Sequence, residues 1–339
     1  MRSITFRQAR EHQTAELDRL LPGLVDQLTA TADRGGLRGP GPLFVGIGAS
    51  LAAANAAVWH LRARGIEAYR LGAGDQPVPF PRSDHPVIGI SQSGRSPETV
   101  AVLASVPPGL RYAVVNAHPS PLADAADTVV SLGDIPDSYA STVGFTATAM
   151  ALGLIADLWD DGVVDPGWVS LARAADAVQN QVADGAATLV GIFDGAAWAD
   201  VVGGGPSVGS AEVGALLLRE VLRVPATAMS TRQYLHGAME SAGGGVHVLF
   251  GAEREAAVAD ELSAAGHRSI LVTDRPVGSR DLVQVIRVPG VPPTQRVVLE
   301  AVVMQTLVEA LATARGVVIE DFVFHHEDTK VAIAEGDGR

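Results

Sequence analysis

A loop rich in short hydroxyl side chains follows the apolar run Val87–Ile90. Its residues are Ser91, Gln92, Ser93, Gly94, Arg95 and Ser96. Pro97 comes next, at a position suited to the first turn of a helix. Hydroxyl groups and the unpaired N–H groups of a helix N-terminus can bind a phosphate without a lysine. The pattern therefore predicts a phosphate site, and the alternative is a serine-rich loop with ordinary helix capping.

A glycine turn, Gly46–Ser50, connects an earlier apolar run to an alanine-rich segment. Its glycines allow a tight turn, and the helix that follows offers unpaired N–H groups to an anion. The alternative is a plain turn in which Ser50 caps the helix. The turn lacks the third glycine of a dinucleotide fingerprint, and no acidic residue clearly ends the next strand. We therefore expect no nicotinamide cofactor.

A carboxylate stands among apolar residues in the second half of the chain. If this segment is helical, Glu220 neighbours Leu216, Leu217 and Val224 at spacings of three and four residues. Desolvation there would raise the pKa of Glu220 toward the range that suits a general base. The alternative is a structural glutamate that pairs with a nearby arginine, Arg219 or Arg223, or with a neighbouring chain.

Strand-like and helix-like segments alternate through the first half, which predicts parallel βαβ units. Residues 5–34 are expected to form one amphipathic helix, or two broken at Pro22. Strands are expected at residues 43–47, 67–71, 87–90, 112–116 and 128–131. Helices are expected at residues 51–64, 97–105 and 142–160.

The second half repeats this plan, which indicates tandem domains. Helices are expected at residues 168–193, 209–222 and 295–314, and strands at 200–202, 227–229, 246–250, 269–272 and 284–288. We expect four parts: an N-terminal helical segment (1–40), a first phosphate-binding domain (41–162), a second domain (163–316) and a C-terminal tail (317–339).

The serine loop resembles the signature of the sugar isomerase domain family, in which this loop holds the sugar phosphate. Asn116, with the stretch from Ser120 to Asp127, resembles the next strand and loop of that family, and Ala140-Ser141-Thr142 resembles its Ala-Ser-Thr-Lys segment. Val143 stands where the family has lysine. The resemblance implies two tandem, doubly wound, flavodoxin-like α/β domains. It also implies that Ser50, Ser141 and the loop residues Ser91, Gln92, Ser93 and Ser96 bind the phosphate.

Three further segments resemble the isomerase half of glutamine–fructose-6-phosphate aminotransferase. They are Leu216–Leu222, Tyr234–Gly237 and Asp328–Val331. The resemblance implies that Glu220 moves a proton between C1 and C2, and that His236 assists ring opening, often from the partner subunit. It implies that Lys330 reaches the carbonyl region of the sugar, although a terminal lysine can also be merely solvated. Gln233 and Ala238, beside His236, depart from the family pattern.

The composition excludes several classes of protein. The 339 residues include no cysteine, so disulfides, thiolate metal sites and a cysteine nucleophile are excluded. A formal net charge of −13 argues against nucleic acid as a partner. The N-terminus has no apolar region typical of a secretory signal, and no uninterrupted apolar run has the length of a membrane span. We expect a cytoplasmic protein. The tail residues His325, His326, Glu327 and Asp328 are of types that can bind a metal, but adjacent histidines point apart in most backbones and no other ligand cluster is evident, so we expect no metal.

These patterns together predict an enzyme without a cofactor that isomerises a sugar phosphate. An amino-sugar phosphate is favoured, with possible deamination, and the enzyme is expected to be a homodimer. Two alternatives remain open. One is a sensor that binds a sugar phosphate without turnover. The other is an enzyme that cleaves a phosphorylated sugar–amine conjugate.

Overall fold

The first half of the chain alternates parallel strands with helices in the computed structural model, which describes residues 3–324 and 326–331. The N-terminal helix α1 (Phe6–Asp33) precedes this sheet. The strands are β1 (Leu43–Gly46), β2 (Tyr69–Gly72), β3 (Val87–Ser91), β4 (Arg111–Val115) and β5 (Thr128–Ser131). The helices are α2 (Ala49–Ala63), α3 (Pro97–Ser105), α4 (Pro121–Asp124) and α5 (Val143–Leu158).

The second half repeats the arrangement. Its strands are β6 (Ala199–Gly203), β7 (Ala226–Ser230), β8 (Val246–Phe250), β9 (Arg268–Thr273) and β10 (Val283–Arg287). Its helices are α6 (Leu171–Asp184), α7 (Ala186–Ile192), α8 (Val208–Leu222), α9 (Thr231–Leu235), α10 (Glu253–Ala264) and α11 (Pro293–Arg315). Short 3-10 turns cover Ala73–Asp75, Pro166–Ser170, Gly205–Ser207, Ala238–Ser241 and Glu327–Thr329.

Both sheets have the same strand order. The first is β2-β1-β3-β4-β5, and the second is β10-β9-β8-β6-β7, which is the same order when it is followed from the opposite edge. All strand pairs within the two sheets are parallel. This is the flavodoxin-like doubly wound order, whose ligand site lies outside the carboxyl ends of the first and third strands. The α/β tandem fold predicted from the sequence is confirmed.

Two helical expectations are decided by the structure. Residues 6–33 form one helix with Pro22 inside it, so the proline does not break it. The single helix expected over residues 168–193 is wrong. This stretch is a 3-10 turn followed by α6 and α7, and the break falls at Gly185, where the backbone leaves helical geometry. A glycine in a helix interior costs about 1 kcal/mol relative to alanine, which favours a boundary there.

The core between the sheets is built from α2, α5, α8 and α11. Buried residues of these helices belong to one continuous hydrophobic cluster together with α1 and the inner faces of both sheets. Every residue of α5 is buried. Helix α11 is long and apolar enough, by length and composition, to cross a membrane, which the sequence analysis did not anticipate. Most of its side chains are buried in this core, and the core helix of a soluble protein passes the same test.

Candidate active site

Two loops meet where β1 and β3 end. These strands are hydrogen-bonded neighbours, so the glycine turn after β1 lies beside the serine loop after β3. The Ser91 and Ser96 hydroxyl oxygens are 3.0 Å apart, which closes the serine loop on itself. Neither α2 nor α3 has a side-chain cap at its N-terminus. First-turn N–H groups and hydroxyls therefore face the same edge of the sheet, an arrangement suited to an anion.

Gly94 gives the serine loop its shape. Its φ angle is +63°, in the left-handed region that favours glycine. A Cβ at this position would collide with the Ser120 side chain. The Gly94 carbonyl accepts a hydrogen bond from the Leu122 N–H at 2.9 Å, and the Gly94 N–H donates to the Ser91 carbonyl at 3.0 Å. The loop is thus packed directly against the loop that follows β4.

Ser50 is not the cap of α2. The helix begins at Ala49, and its N-cap is Gly48, whose φ angle is +55°. Ser50 lies in the first turn and is half-buried. A Cβ added to Gly46 would lie 3.2 Å from the Cβ of Ser50. This placement argues against the capping alternative for Ser50. Its role in binding phosphate stays a prediction.

Asp137 forms hydrogen bonds at the N-terminus of α5, and the sequence did not predict this role. Its carboxylate is buried and accepts hydrogen bonds from Gln92 Nε2 at 2.6 Å and Ser141 Oγ at 2.9 Å. It also accepts from the Thr142 hydroxyl at 2.7 Å and the Gly144 N–H at 3.1 Å. The carboxylate thus caps α5 and ties it to the serine loop. Two of the predicted phosphate ligands, Gln92 and Ser141, donate to Asp137 in this structure.

Gly144 and Val143 complete that junction. A Cβ on Gly144 would collide with the Gln92 amide, so only glycine leaves room for the bond between Gln92 and Asp137. Val143 is the first residue of α5 and is buried in the core. The side chain at this position therefore serves packing and supplies no charge to the site.

Glu220 lies at the wall of a cavity of about 560 Å³ near the C-terminal end of α8. The cavity is lined by Tyr139, Arg219, Glu220, Arg223, Phe322, Val323 and Phe324. Burial raises the pKa of Glu220 from its usual 4.5 to about 7. The alternative in which this glutamate pairs with Arg219 or Arg223 is not supported. The guanidinium of Arg219 donates to the Ala226 carbonyl at 2.6 Å, and that of Arg223 donates to the Asp321 carbonyl.

The packing of α8 brings this carboxylate to the first sheet's binding edge. A Cβ on Gly48, in the glycine turn, would lie 3.9 Å from Leu216 Cδ2. Glu220 is four residues further along α8, about 6 Å on and on the same face. Tyr139 stands between Asp137 and Ser141 in the sequence, and its side chain lines the Glu220 cavity. The cavity is therefore built by residues from both halves of the chain.

The C-terminal tail folds back over the same region. Phe322 packs against Tyr139 with ring centroids 4.1 Å apart, and Lys330 Nζ lies 5.7 Å from the Tyr139 ring centroid. Val331 pairs with Arg95 of the serine loop. Its N–H donates to the Arg95 carbonyl at 2.9 Å, and its carbonyl accepts from Arg95 Nε at 2.6 Å. The tail thus brings Lys330 to the edge of the Glu220 cavity.

Two of the four tail side chains considered for a metal, those of His325 and Glu327, lie outside the part of the chain that the structure describes, so the expectation of no metal stays a prediction. Among residues 3–324 and 326–331, no group of three or more histidine, aspartate or glutamate side chains is placed to hold a metal ion.

His236 lies away from Glu220 within one chain. It follows α9, is exposed, and its imidazole makes no hydrogen bond to the residues described here. Tyr234 of α9 packs with Val202 and Leu249 on one face of the second sheet. The residues of α8 pack with Val201 on the other face. Because side chains alternate along a strand, the second sheet separates His236 from Glu220.

Comparison of the sequence with protein-family models and with curated proteins finds no match. Several solved structures share the fold. The C-terminal domain of glucosamine-fructose-6-phosphate aminotransferase from Francisella tularensis has 16% identity and a TM-score of 0.78, covering 92% of this chain and 96% of that one. Glucosamine-6-phosphate deaminase from Thermotoga maritima has 18% identity and a TM-score of 0.76, covering 96% and 99%. Tagatose-6-phosphate ketose/aldose isomerase from Escherichia coli has 17% identity and a TM-score of 0.72, covering 98% and 97%.

These neighbours are a domain of a sugar-phosphate aminotransferase, a deaminase and a sugar-phosphate isomerase, in line with the resemblance found in the sequence. At this level of identity they establish the double-domain fold over nearly the whole chain. The roles of individual residues rest on the geometry of the site described above.

Proposed function

We propose that this chain is a cofactor-free aldose–ketose isomerase of a sugar phosphate, and that an amino-sugar 6-phosphate is its favoured substrate. The observation that carries the proposal is Glu220. Burial raises the pKa of this carboxylate to about 7, and the cavity that it lines is closed by the tail that pairs with the serine loop. A general base works best when its pKa lies near the operating pH.

The phosphate of the substrate is proposed to bind to the first domain, residues 41–162. Ser50, Ser91, Ser93 and Ser96 supply hydroxyl donors, and the N-termini of α2 and α3 supply N–H groups and a partial positive charge. Gln92 and Ser141 join them by exchanging their bonds to Asp137 for bonds to the ligand.

Glu220 is proposed to shuttle one proton between neighbouring carbons of the open-chain sugar. Its ionised form takes the proton from C2 of an aldose phosphate, and O1 takes up a proton, which gives an enediol. Return of the carbon-bound proton to C1, with loss of the O2 proton, gives the ketose. With an amino group at C2 the intermediate is an enolamine. Protonation at C1 then gives an imine, and its hydrolysis by one water releases ammonia and the ketose phosphate.

His236 and Lys330 are assigned supporting roles. The second sheet belongs to the second domain, residues 163–316, and it separates His236 from Glu220 within one chain. His236 is therefore proposed to assist ring opening in the site of a second copy of the chain. The proposed enzyme is therefore a homodimer, and its cytoplasmic location remains a prediction from the sequence. Lys330 supplies a positive charge near the sugar carbonyl, which its position above the Tyr139 ring supports.

One observation favours a second candidate, an enzyme that cleaves a phosphorylated sugar–amine conjugate. The Glu220 cavity is lined by two arginines and three aromatic rings, which exceeds what a neutral sugar ring needs. An amino-acid substituent would place its carboxylate near Arg219 and Arg223. Transfer of a proton from C1 to C2 by Glu220 would give an imine at C1, and its hydrolysis by one water would release the amine and an aldose phosphate.

The test is proton NMR of the purified protein in D2O with a panel of substrates. The panel contains hexose 6-phosphates, amino-hexose 6-phosphates and a fructose 6-phosphate conjugate of an amino acid. Deuterium at C1 or C2 supports an isomerase, concurrent ammonia marks a deaminase, and release of the amino acid marks conjugate cleavage. Line broadening without exchange across the panel would favour the sensor. No interaction with any member would refute the phosphate site.

A further inference from the structure

A row of polar side chains crosses one face of the second sheet. Thr227, Asp200, His247 and Ser269 are register partners on β7, β6, β8 and β9. On this face the next row contains Val202 and Leu249, which are fully buried and apolar. Burying polar groups costs free energy unless they are hydrogen-bonded. Thr227 is exposed, so this cost applies to the three buried members of the row, Asp200, His247 and Ser269.

His247 is the centre of this row, and its hydrogen bonds define the tautomer of its neutral ring. The ring is fully buried, with Nε2 at 3.2 Å from the Ala242 carbonyl and Nδ1 at 3.0 Å from the Tyr234 hydroxyl oxygen. A carbonyl only accepts, so Nε2 carries a proton. In the neutral ring Nδ1 is then an acceptor, and the Tyr234 hydroxyl donates to it.

Tyr234 is suited to stay a donor. Burial and, less strongly, the nearby Asp200 carboxylate raise the pKa of Tyr234, so the phenol keeps its proton. Asp200 Oδ2 lies 3.5 Å from His247 Nδ1, is buried, and has no hydrogen-bond partner among the described residues. This carboxylate faces the ring without displacing the tyrosine.

The two partners of His247 lie on either side of His236. Tyr234 is in α9, two residues before His236, and Ala242 directly follows the 3-10 turn Ala238–Ser241. One buried imidazole thus holds both ends of the segment 235–241. The segment has little rigidity of its own, since α9 has five residues and Gly237 has a φ angle of +134°.

We infer that Tyr234 and His247 are positioning residues that hold the exposed His236 in one orientation. The inference rests on the proposed function, because it takes His236 as the ring-opening group. Neither residue touches the substrate, and both act through the backbone of the segment 235–241. If the polar cluster only stabilised the core, the effect of removing Tyr234 or His247 would not depend on whether His236 is present.

The experiment is a double-mutant cycle on Tyr234→Phe and His236→Gln, measured as turnover of the cyclic sugar phosphate that the wild type accepts. Tyr234→Phe is expected to lower kcat about tenfold with KM unchanged, since it removes one buried hydrogen bond. In the His236→Gln background the same change is expected to have no further effect. An equal loss in both backgrounds, or no loss in either, would overturn the inference.

Tyr112→Phe is the matched control. Its hydroxyl is also buried and donates to the Gly36 carbonyl at 2.7 Å, but it lies in the first half of the chain. Tyr112→Phe is expected to leave turnover unchanged. A tenfold loss of turnover in this variant would show that the loss in Tyr234→Phe is not specific to the segment 235–241.

Amide hydrogen exchange tests the positioning without any substrate. In Tyr234→Phe, exchange across residues 235–241 is expected to accelerate about tenfold, while exchange in α8 stays as in the wild type. Unchanged exchange in the segment would overturn the inference. Wild-type protein that turns over no sugar phosphate would instead refute the proposed function, and the exchange result would still decide whether His247 holds the segment.

Discussion

Replacing Glu220 by glutamine is expected to stabilise the protein at high pH while it removes activity. The folded state raises the pKa of this carboxyl from 4.5 to about 7 because burial disfavours the charge. Below pH 4.5 the group is protonated in both the folded and the unfolded chain, so burial of the charge costs nothing. As the pH rises through 4.5 to 7, the unfolded chain releases the proton first, and the folded state loses stability.

The magnitude follows from the shift. A rise of the pKa from 4.5 to about 7, at about 1.4 kcal/mol for each tenfold change, gives a cost of about 3.5 kcal/mol above pH 7. The side chain is partly exposed at the cavity wall, and solvent screening reduces this figure to about 2 kcal/mol. Glu220→Gln is neutral at every pH and keeps the shape of the side chain. Its stability advantage over the wild type is therefore expected to grow by about 1.5 kcal/mol between pH 5 and pH 8, since part of the change already occurs below pH 5.

The assay is urea denaturation of both proteins at a series of pH values, with the free energy of unfolding compared pair by pair. Glu11→Gln, an exposed glutamate on α1, is the control and is expected to show no such growth. A difference between Glu220→Gln and the wild type that stays constant with pH would refute the assignment of a raised pKa. It would also remove the argument that Glu220 is tuned as a base.

The remaining predictions concern the anion loop, the core and the tail. Gly94→Ala is expected to weaken sugar-phosphate binding at least about tenfold, measured by calorimetry, because its Cβ collides with the neighbouring loop. Gly109→Ala has a similar positive φ but open space around it, so equal losses in the two variants would contradict this. Glu300→Ala is expected to destabilise the fold by about 3 kcal/mol in urea, since the buried Ser207 and Ser210 hydroxyls and Arg296 Nε lose their common acceptor. The exposed Glu261→Ala should cost under about 1 kcal/mol, and a similar cost for both would be inconsistent with that reasoning. Lys330→Gln is expected to lower kcat about tenfold with substrate affinity retained, and loss of affinity alone would instead assign it to phosphate binding.

Much of the fold follows from local patterns in the sequence. The expected bounds of α3, β5 and β8 agree with the structure, because apolar runs, prolines and glycines mark their ends. Helix α10 was not anticipated, since its sequence is largely polar and only four of its residues are buried. The break at Gly185 was also missed, because apolar spacing continues across it.

The site was only partly accessible from sequence. The serine loop follows one strand and is local, and motif reasoning finds it. Asp137 acts across 45 positions on Gln92, and the sequence signals only a polar stretch before an apolar helix. The contact of Tyr139 with the tail depends on how the two halves pack. The separation of His236 from Glu220 depends on which face of the second sheet each helix covers, and spacing along the chain does not encode it.

The central claim is that Glu220 transfers the proton of a sugar phosphate bound at the first domain's serine loop. The most direct measurement is the rate of deuterium incorporation at C1 and C2 at pH 8, where the carboxyl is ionised, for the wild type and Glu220→Gln. We predict a fall of about 100-fold or more, with the dissociation constant for the sugar phosphate within about twofold of the wild type. Exchange that persists within tenfold of the wild-type rate would contradict the claim.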